Sequence, residues 1–86
     1  LDVNPEVNGH ALVVPKKHIE SLAKMEEGDE KIISKVYKII NDIAEKQGFK
    51  EKGYRVIVNC GKDGGQEVPH LHFHLLAGKQ LGDKIV

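Results

Sequence analysis

The spacing of apolar residues changes along the chain, and each spacing predicts a different element. Ala11-Leu12-Val13-Val14 is an unbroken apolar run closed by Pro15, which cannot donate to a ladder, so it predicts a buried strand. Asn4-Pro5 and Asn8-Gly9 before it are turn signals. Residues 18–25 predict a short helix. Ile32, Ile33, Val36, Tyr37, Ile39, Ile40, Ile43 and Ala44 then recur at helical spacing, with Lys31, Lys35, Lys38, Asp42 and Lys46 on much of the other face. This is the longest predicted helix. Gly28-Asp29 opens it, with Asp29 as the expected N-cap, and Gly48 closes it.

After Gly53, residues 54–59 (Tyr54-Arg55-Val56-Ile57-Val58-Asn59) are rich in β-branched side chains and predict a strand. Gly61, Gly64 and Gly65 mark a loop running to Gln66 and Glu67. Pro69 precedes a last predicted strand over residues 70–77, ended by Gly78. Strand, long helix, strand, glycine loop, strand is an α+β order: an antiparallel sheet covered on one side by the long helix. The helix stripe is broad enough to serve a partner surface as well as the sheet.

With 86 residues the chain is expected to be one domain over 1–86. A domain this small buries only about 60–65% of its unfolded surface, which favours help from a second subunit. Aromatics are scarce, Tyr37, Phe49, Tyr54 and Phe73 with no Trp, so the core must come from Val, Ile and Leu. Thirteen basic side chains balance thirteen acidic ones. Extended nucleic-acid binding is not expected from that balance, whereas a single phosphate needs only local donors. Cys60 is the only cysteine, so no internal disulfide or Cys-rich zinc site can form within the chain, which suits a reducing, cytoplasmic setting. No apolar run approaches the roughly 20 residues of a membrane span, and no signal peptide is read. Leu1-Asp2-Val3-Asn4-Pro5 lacks an initiator Met and reads as the end of a strand entering a turn, so an upstream strand or helix segment is expected to be missing.

His70-Leu71-His72-Phe73-His74-Leu75-Leu76 alternates strictly. Strand side chains point to opposite faces with period two, so the histidines share one face at roughly 6.6 Å per step and Leu71, Phe73 and Leu75 share the other. Histidines so placed can bind a metal, with Glu67 the nearest carboxylate in sequence. They can be structural, with each ring's donor and acceptor satisfied. Or they can do nucleophilic chemistry, one imidazole attacking phosphorus while its second nitrogen is held as a donor. Gly61, Gly64 and Gly65 stand before this strand and offer backbone N–H groups that can cradle an anion, with Gln66 adding an amide. The combination favours phosphate chemistry over metal. His10 reads as a turn residue that a position near the triad would recruit, and His18 as a helix-start residue.

The His-φ-His-φ-His-φ-φ run at 70–76 is identified as the signature of the histidine triad superfamily. Gly9-His10-Ala11-Leu12-Val13-Val14-Pro15-Lys16-Lys17-His18, Tyr54-Arg55-Val56-Ile57-Val58-Asn59 and Gly64-Gly65-Gln66 resemble blocks of its nucleotide-binding branch. The resemblance spans nearly the whole chain. It implies a homodimer with a continuous sheet, the long helix and the strand from Tyr54 lying at the interface. It also implies hydrolysis or transfer of nucleotidyl groups from purine nucleoside phosphoramidates and related adenosine monophosphate derivatives, without a metal or other cofactor. His72 would be the nucleophile and His74 would contact phosphate and leaving group. His70 would hold His72 through its backbone carbonyl and pair with His10. Asn59, Gly65, Gln66 and the backbone around Glu67 would surround the phosphate, Asp2 would take the ribose hydroxyls, and Val3 would pack on the base. Glu67 stands where many members carry Ser or Thr.

Overall fold

The computed structural model describes the backbone of residues 2–7 and all of residues 10–78. In chain order the elements are β1 (Asp2–Val7), β2 (His10–Val14), a 3-10 turn (Leu22–Lys24), α1 (Glu30–Lys46), β3 (Arg55–Ile57) and β4 (Phe73–Leu76). The strands form one antiparallel sheet in the order β1-β2-β4-β3. The expected α+β class is observed. The isolated 3-10 turn is what remains of the helix expected over 18–25.

Asn4-Pro5 is not a turn. Both residues lie inside β1, opposite Leu12 and Ala11, and the register slips between Pro5 and Val7. An edge strand tolerates this, because a proline there need not donate to a second neighbour. The strands predicted at 54–59 and 70–77 are longer than the paired segments. Pairing of β4 with β2 reaches only to Phe73, opposite Val13, and His70 to His72 lie outside the strand, with the Leu71 N–H bonded to the Ile19 carbonyl at 2.6 Å.

α1 lies on one face. Val36, Ile40, Leu71, Phe73, Leu75, Val13 and Ile19 form the buried core, and the Tyr37 ring meets Phe73 edge-on at 5.9 Å between centroids. Burial alternates along β4: Phe73 and Leu75 are buried on the helix side, while His74 and Leu76 are only partly buried on the other. α1 ends at the expected glycine. Gly48 has φ 80, its N–H bonds to Glu45 O (3.2 Å), and Phe49 N–H bonds to Ala44 O (2.8 Å), the paired bonds of a Schellman cap. Asp29 occupies the expected N-cap position of α1. The Asp29 side chain makes no cap bond to the helix. It accepts instead from the Glu26 N–H at 2.9 Å and from Lys17 Nζ at 2.6 Å. A nearly buried carboxylate, 3% exposed, gains more from a charged donor than from a neutral amide.

Candidate active site

The sheet face away from α1 carries a cleft of roughly 530 Å³. Its floor follows from register: Leu12 and Ile57 both stand opposite His74, and His10 stands opposite Leu76. These five side chains share a face and line the cleft together with His72, Asn59, Gly65, Glu67 and Val68.

His72 Nδ1 lies 2.7 Å from the backbone carbonyl oxygen of His70. A carbonyl oxygen only accepts, so Nδ1 carries the proton and, in the neutral ring, Nε2 keeps its lone pair. The His72 and His74 rings meet edge-on at 5.1 Å between centroids. His74 Nδ1 is 3.1 Å from His10 Nε2, and one of these nitrogens donates to the other. His10 thus joins the histidine cluster.

The pairing of His10 with His70 expected from the resemblance is corrected. His10 is on β2, diagonal to His74 across the β2–β4 ladder, and rings at diagonal positions on one face reach each other. His70 lies beyond the end of that ladder and turns elsewhere. Its Nε2 donates to the Pro15 carbonyl at 3.2 Å, and its ring receives His18 edge-on, 4.9 Å between centroids and perpendicular. His18 is therefore a neighbour of the triad and not a helix-start residue.

The glycine loop is closed by its own bonds. Gly61 N–H donates to Gln66 Oε1 at 2.9 Å, Gln66 N–H to Gly61 O at 3.0 Å, and Gly65 N–H to Lys62 O at 3.0 Å. Asn59 Nδ2 donates to Gly64 O at 2.8 Å. A Cβ on Gly64 would come 2.2 Å from the Cys60 carbonyl oxygen, and Gly65 has φ 79, so both positions call for glycine. Of the residues expected around the phosphate, Asn59, Gly65 and Glu67 line the cleft and Gln66 does not. The Gln66 amide also donates to Glu20 O (2.7 Å) and Val68 O (3.0 Å), so it braces the loop from behind. The side chains of Asp2 and Val3 lie outside the described residues. Sequence reasoning missed Leu12, Ile57, Val68 and Leu76. Leu76 continues the parity of the histidines along the same strand, a signal the sequence offered, whereas Leu12 and Ile57 join that face through a pairing register the sequence does not give.

Among the described residues, no group of three or more His, Cys, Asp or Glu side chains is arranged to hold a metal ion. The triad rings turn to different partners: His70 to a backbone carbonyl, His72 to another, His74 to His10.

A family model, the HIT domain, matches residues 1–81. The chain belongs to the HIT domain family. A histidine triad protein from Clostridium difficile is 51% identical with a TM-score of 0.86, the match covering 98% of this chain and 73% of that one. A HIT family hydrolase from Clostridium thermocellum is 45% identical with a TM-score of 0.85, covering 99% and 74%. A HIT-like protein of Chlamydia muridarum is 48% identical over 81 residues, 94% of this chain and 64% of the relative. The chain thus spans just under two thirds of that relative's length.

Proposed function

We propose that the cleft binds a purine nucleoside monophosphate joined to an amine or related leaving group, as in the nucleotide-binding branch of the family, and that His72 cleaves it. The observation that carries this reading is the bond from His72 Nδ1 to the His70 carbonyl, which leaves Nε2 as a nucleophile on the cleft side of the sheet. The similarity to a HIT family hydrolase supports a hydrolytic outcome.

In the proposed reaction the Nε2 lone pair attacks the α-phosphorus. A phosphorus–nitrogen bond forms to the imidazole, and the bond to the leaving amine breaks. His74 is the candidate proton donor to that amine. If His10 donates from Nε2 to His74 Nδ1, the proton of neutral His74 sits on Nε2, where donation is possible. Water then attacks phosphorus, releasing the nucleoside monophosphate and restoring His72. Asn59, Gly65 and the backbone at Glu67 are proposed to surround the phosphate, Leu12, Ile57, Val68 and Leu76 to supply apolar walls, and Asp2 and Val3 to meet ribose and base. Glu67 puts a carboxylate beside the leaving group, which favours leaving groups that carry positive charge.

A homodimer is part of this proposal. β3 is an edge strand of three residues, and Tyr37 on α1 is half exposed. A second copy pairing along β3 would extend the sheet and cover that ring. Among the described residues no helix is long and apolar enough to cross a membrane; we place the protein in the cytoplasm on the strength of its single cysteine.

The test is turnover of adenosine monophosphate linked to an amine, in chelator, by wild type and His72→Ala. Product from wild type with a loss of at least about 10⁴-fold in the variant is expected, the scale seen when a nucleophile is removed. Equal rates would overturn the assignment of His72. Tight monophosphate binding with no product from wild type would instead make the domain a nucleotide-binding module.

A further inference from the structure

Between β2 and the 3-10 turn, residues 15–20 form neither strand nor helix, yet they grip the approach to the histidine strand at successive points. The Pro15 carbonyl accepts from His70 Nε2 at 3.2 Å. The Ile19 carbonyl accepts from Leu71 N–H at 2.6 Å, and the Glu20 carbonyl from Gln66 Nε2 at 2.7 Å. His18 sits in the middle of this segment with its ring perpendicular to that of His70, 4.9 Å between centroids. Core packing does not explain the contact, because His18 is exposed while Ile19 and Leu71 fill the core on either side. Lys17, its neighbour, turns away to Asp29.

We propose that His18 is a positioning residue for the reaction at His72 and acts through His70; this rests on the reading of His72 as the nucleophile. The bond from His70 Nε2 to Pro15 anchors one atom of the His70 ring but leaves the ring able to turn about that bond. A second ring packed perpendicular to it removes this freedom. The pose of the His70 ring constrains the backbone at the same residue, and it is the backbone carbonyl of His70 that holds His72 Nδ1. If that carbonyl swings away, His72 gains access to the tautomer protonated on Nε2, which has no lone pair to attack with. The sequence Pro15-Lys16-Lys17-His18 thereby joins β2 to the chemistry of a strand 52 or more residues later in the chain, between His18 and His70.

The test compares His18→Ala and His18→Phe with wild type in turnover of the same amine-linked monophosphate. It is accompanied by ¹⁵N shifts of the His72 imidazole and by thermal unfolding. His18→Ala is expected to lower kcat about ten- to a hundredfold, the cost of a small misplacement, with KM unchanged. The His72 nitrogens should move from a single Nδ1–H pattern to a mixture. His18→Phe keeps a ring in place and should recover most of the loss. Added to His70→Ala, the His18→Ala change should cost nothing more, because its route is already gone. Unchanged kcat with unchanged ¹⁵N shifts, or a full extra loss in the double variant, would overturn the proposal. If wild type shows no turnover, the catalytic reading of His72 fails, and the ¹⁵N shifts alone still decide whether His18 sets the His72 tautomer.

Discussion

The imidazole of His72 is held by the backbone of His70, Nδ1 to carbonyl oxygen at 2.7 Å, and by no part of the His70 side chain. The two contributions of His70 are therefore separable. Its carbonyl sets the tautomer of His72, and its ring, bonded to Pro15 and packed on His18, steadies the carbonyl. His70→Ala keeps the carbonyl. It is expected to lower kcat by about ten- to a hundredfold, far less than His72→Ala. Steady-state kinetics on the two variants checks this, and equal losses would assign the His70 ring a direct part in the chemistry.

His10 and His74 share a hydrogen bond at 3.1 Å across the β2–β4 ladder. Removing His10 leaves the His74 ring in place but without this partner to direct its proton. His10→Ala is expected to reduce kcat by about 10²-fold, the low end of what a positioned proton donor contributes. The loss should be largest for substrates with a basic leaving amine and small for an activated leaving group that departs without a proton. A loss independent of leaving-group basicity would show that His10 acts in some other way.

Lys17 and Asp29 tie the segment after β2 to the start of α1. The hydrogen bond from Lys17, then that from the Glu26 N–H, hold the Asp29 carboxyl below its ordinary 3.8, and the Asp29 bond raises Lys17 above its ordinary 10.5. A lowered carboxyl adds stability that is present above its unfolded value and lost as pH falls through the folded one. A raised amine adds stability that is present below 10.5 and lost as pH rises beyond it. The pair therefore stabilises the fold between these limits. Asp29→Asn should be less stable than wild type at neutral pH, and the gap should close as the solution is acidified past the Asp29 titration. Urea unfolding at a series of pH values would show it; a gap that stays constant into acid would mean that the charge of Asp29 contributes nothing.

A methyl group on Gly64 meets the Cys60 carbonyl at 2.2 Å. The neighbour is backbone and cannot swing aside, so the loop must shift, and Asn59, bonded to Gly64 O, shifts with it. Gly64→Ala is expected to raise KM for the monophosphate-amine about tenfold or more, the 1.4 kcal/mol scale of one disturbed hydrogen bond. The midpoint of global unfolding should move little, because the loop is exposed. An unchanged KM would detach this loop from phosphate binding.

Much of the fold was legible from local pattern. The apolar spacing of Val36, Ile40 and Ala44 placed α1 and its buried face, Gly48 marked its end, and the alternation from His70 to Leu76 separated the histidine side from the core side. Each of these depends only on backbone period, which neighbouring residues set among themselves. Local pattern misjudged Asn4-Pro5, because a dipeptide that favours turns is tolerated in an edge strand when a long pairing partner holds it extended. It placed Asp29 correctly at the N-cap of α1, but could not show that a cation twelve residues earlier in the chain claims its side chain.

By itself, then, the sequence determined the alternation that sets the histidines apart from Leu71, Phe73 and Leu75, the glycine loop before them and the long helix over the core side, since periodicity and turn chemistry are local. Of the three histidines only His74 lies within β4. Only the tertiary structure decided which groups those histidines meet. His10 reaches His74 through the register of β2 against β4, His18 reaches His70 through the path of residues 15–20, and Gln66 turns from the cleft to brace the loop. Contacts between residues tens of positions apart depend on strand register and chain path, and no local spacing encodes either.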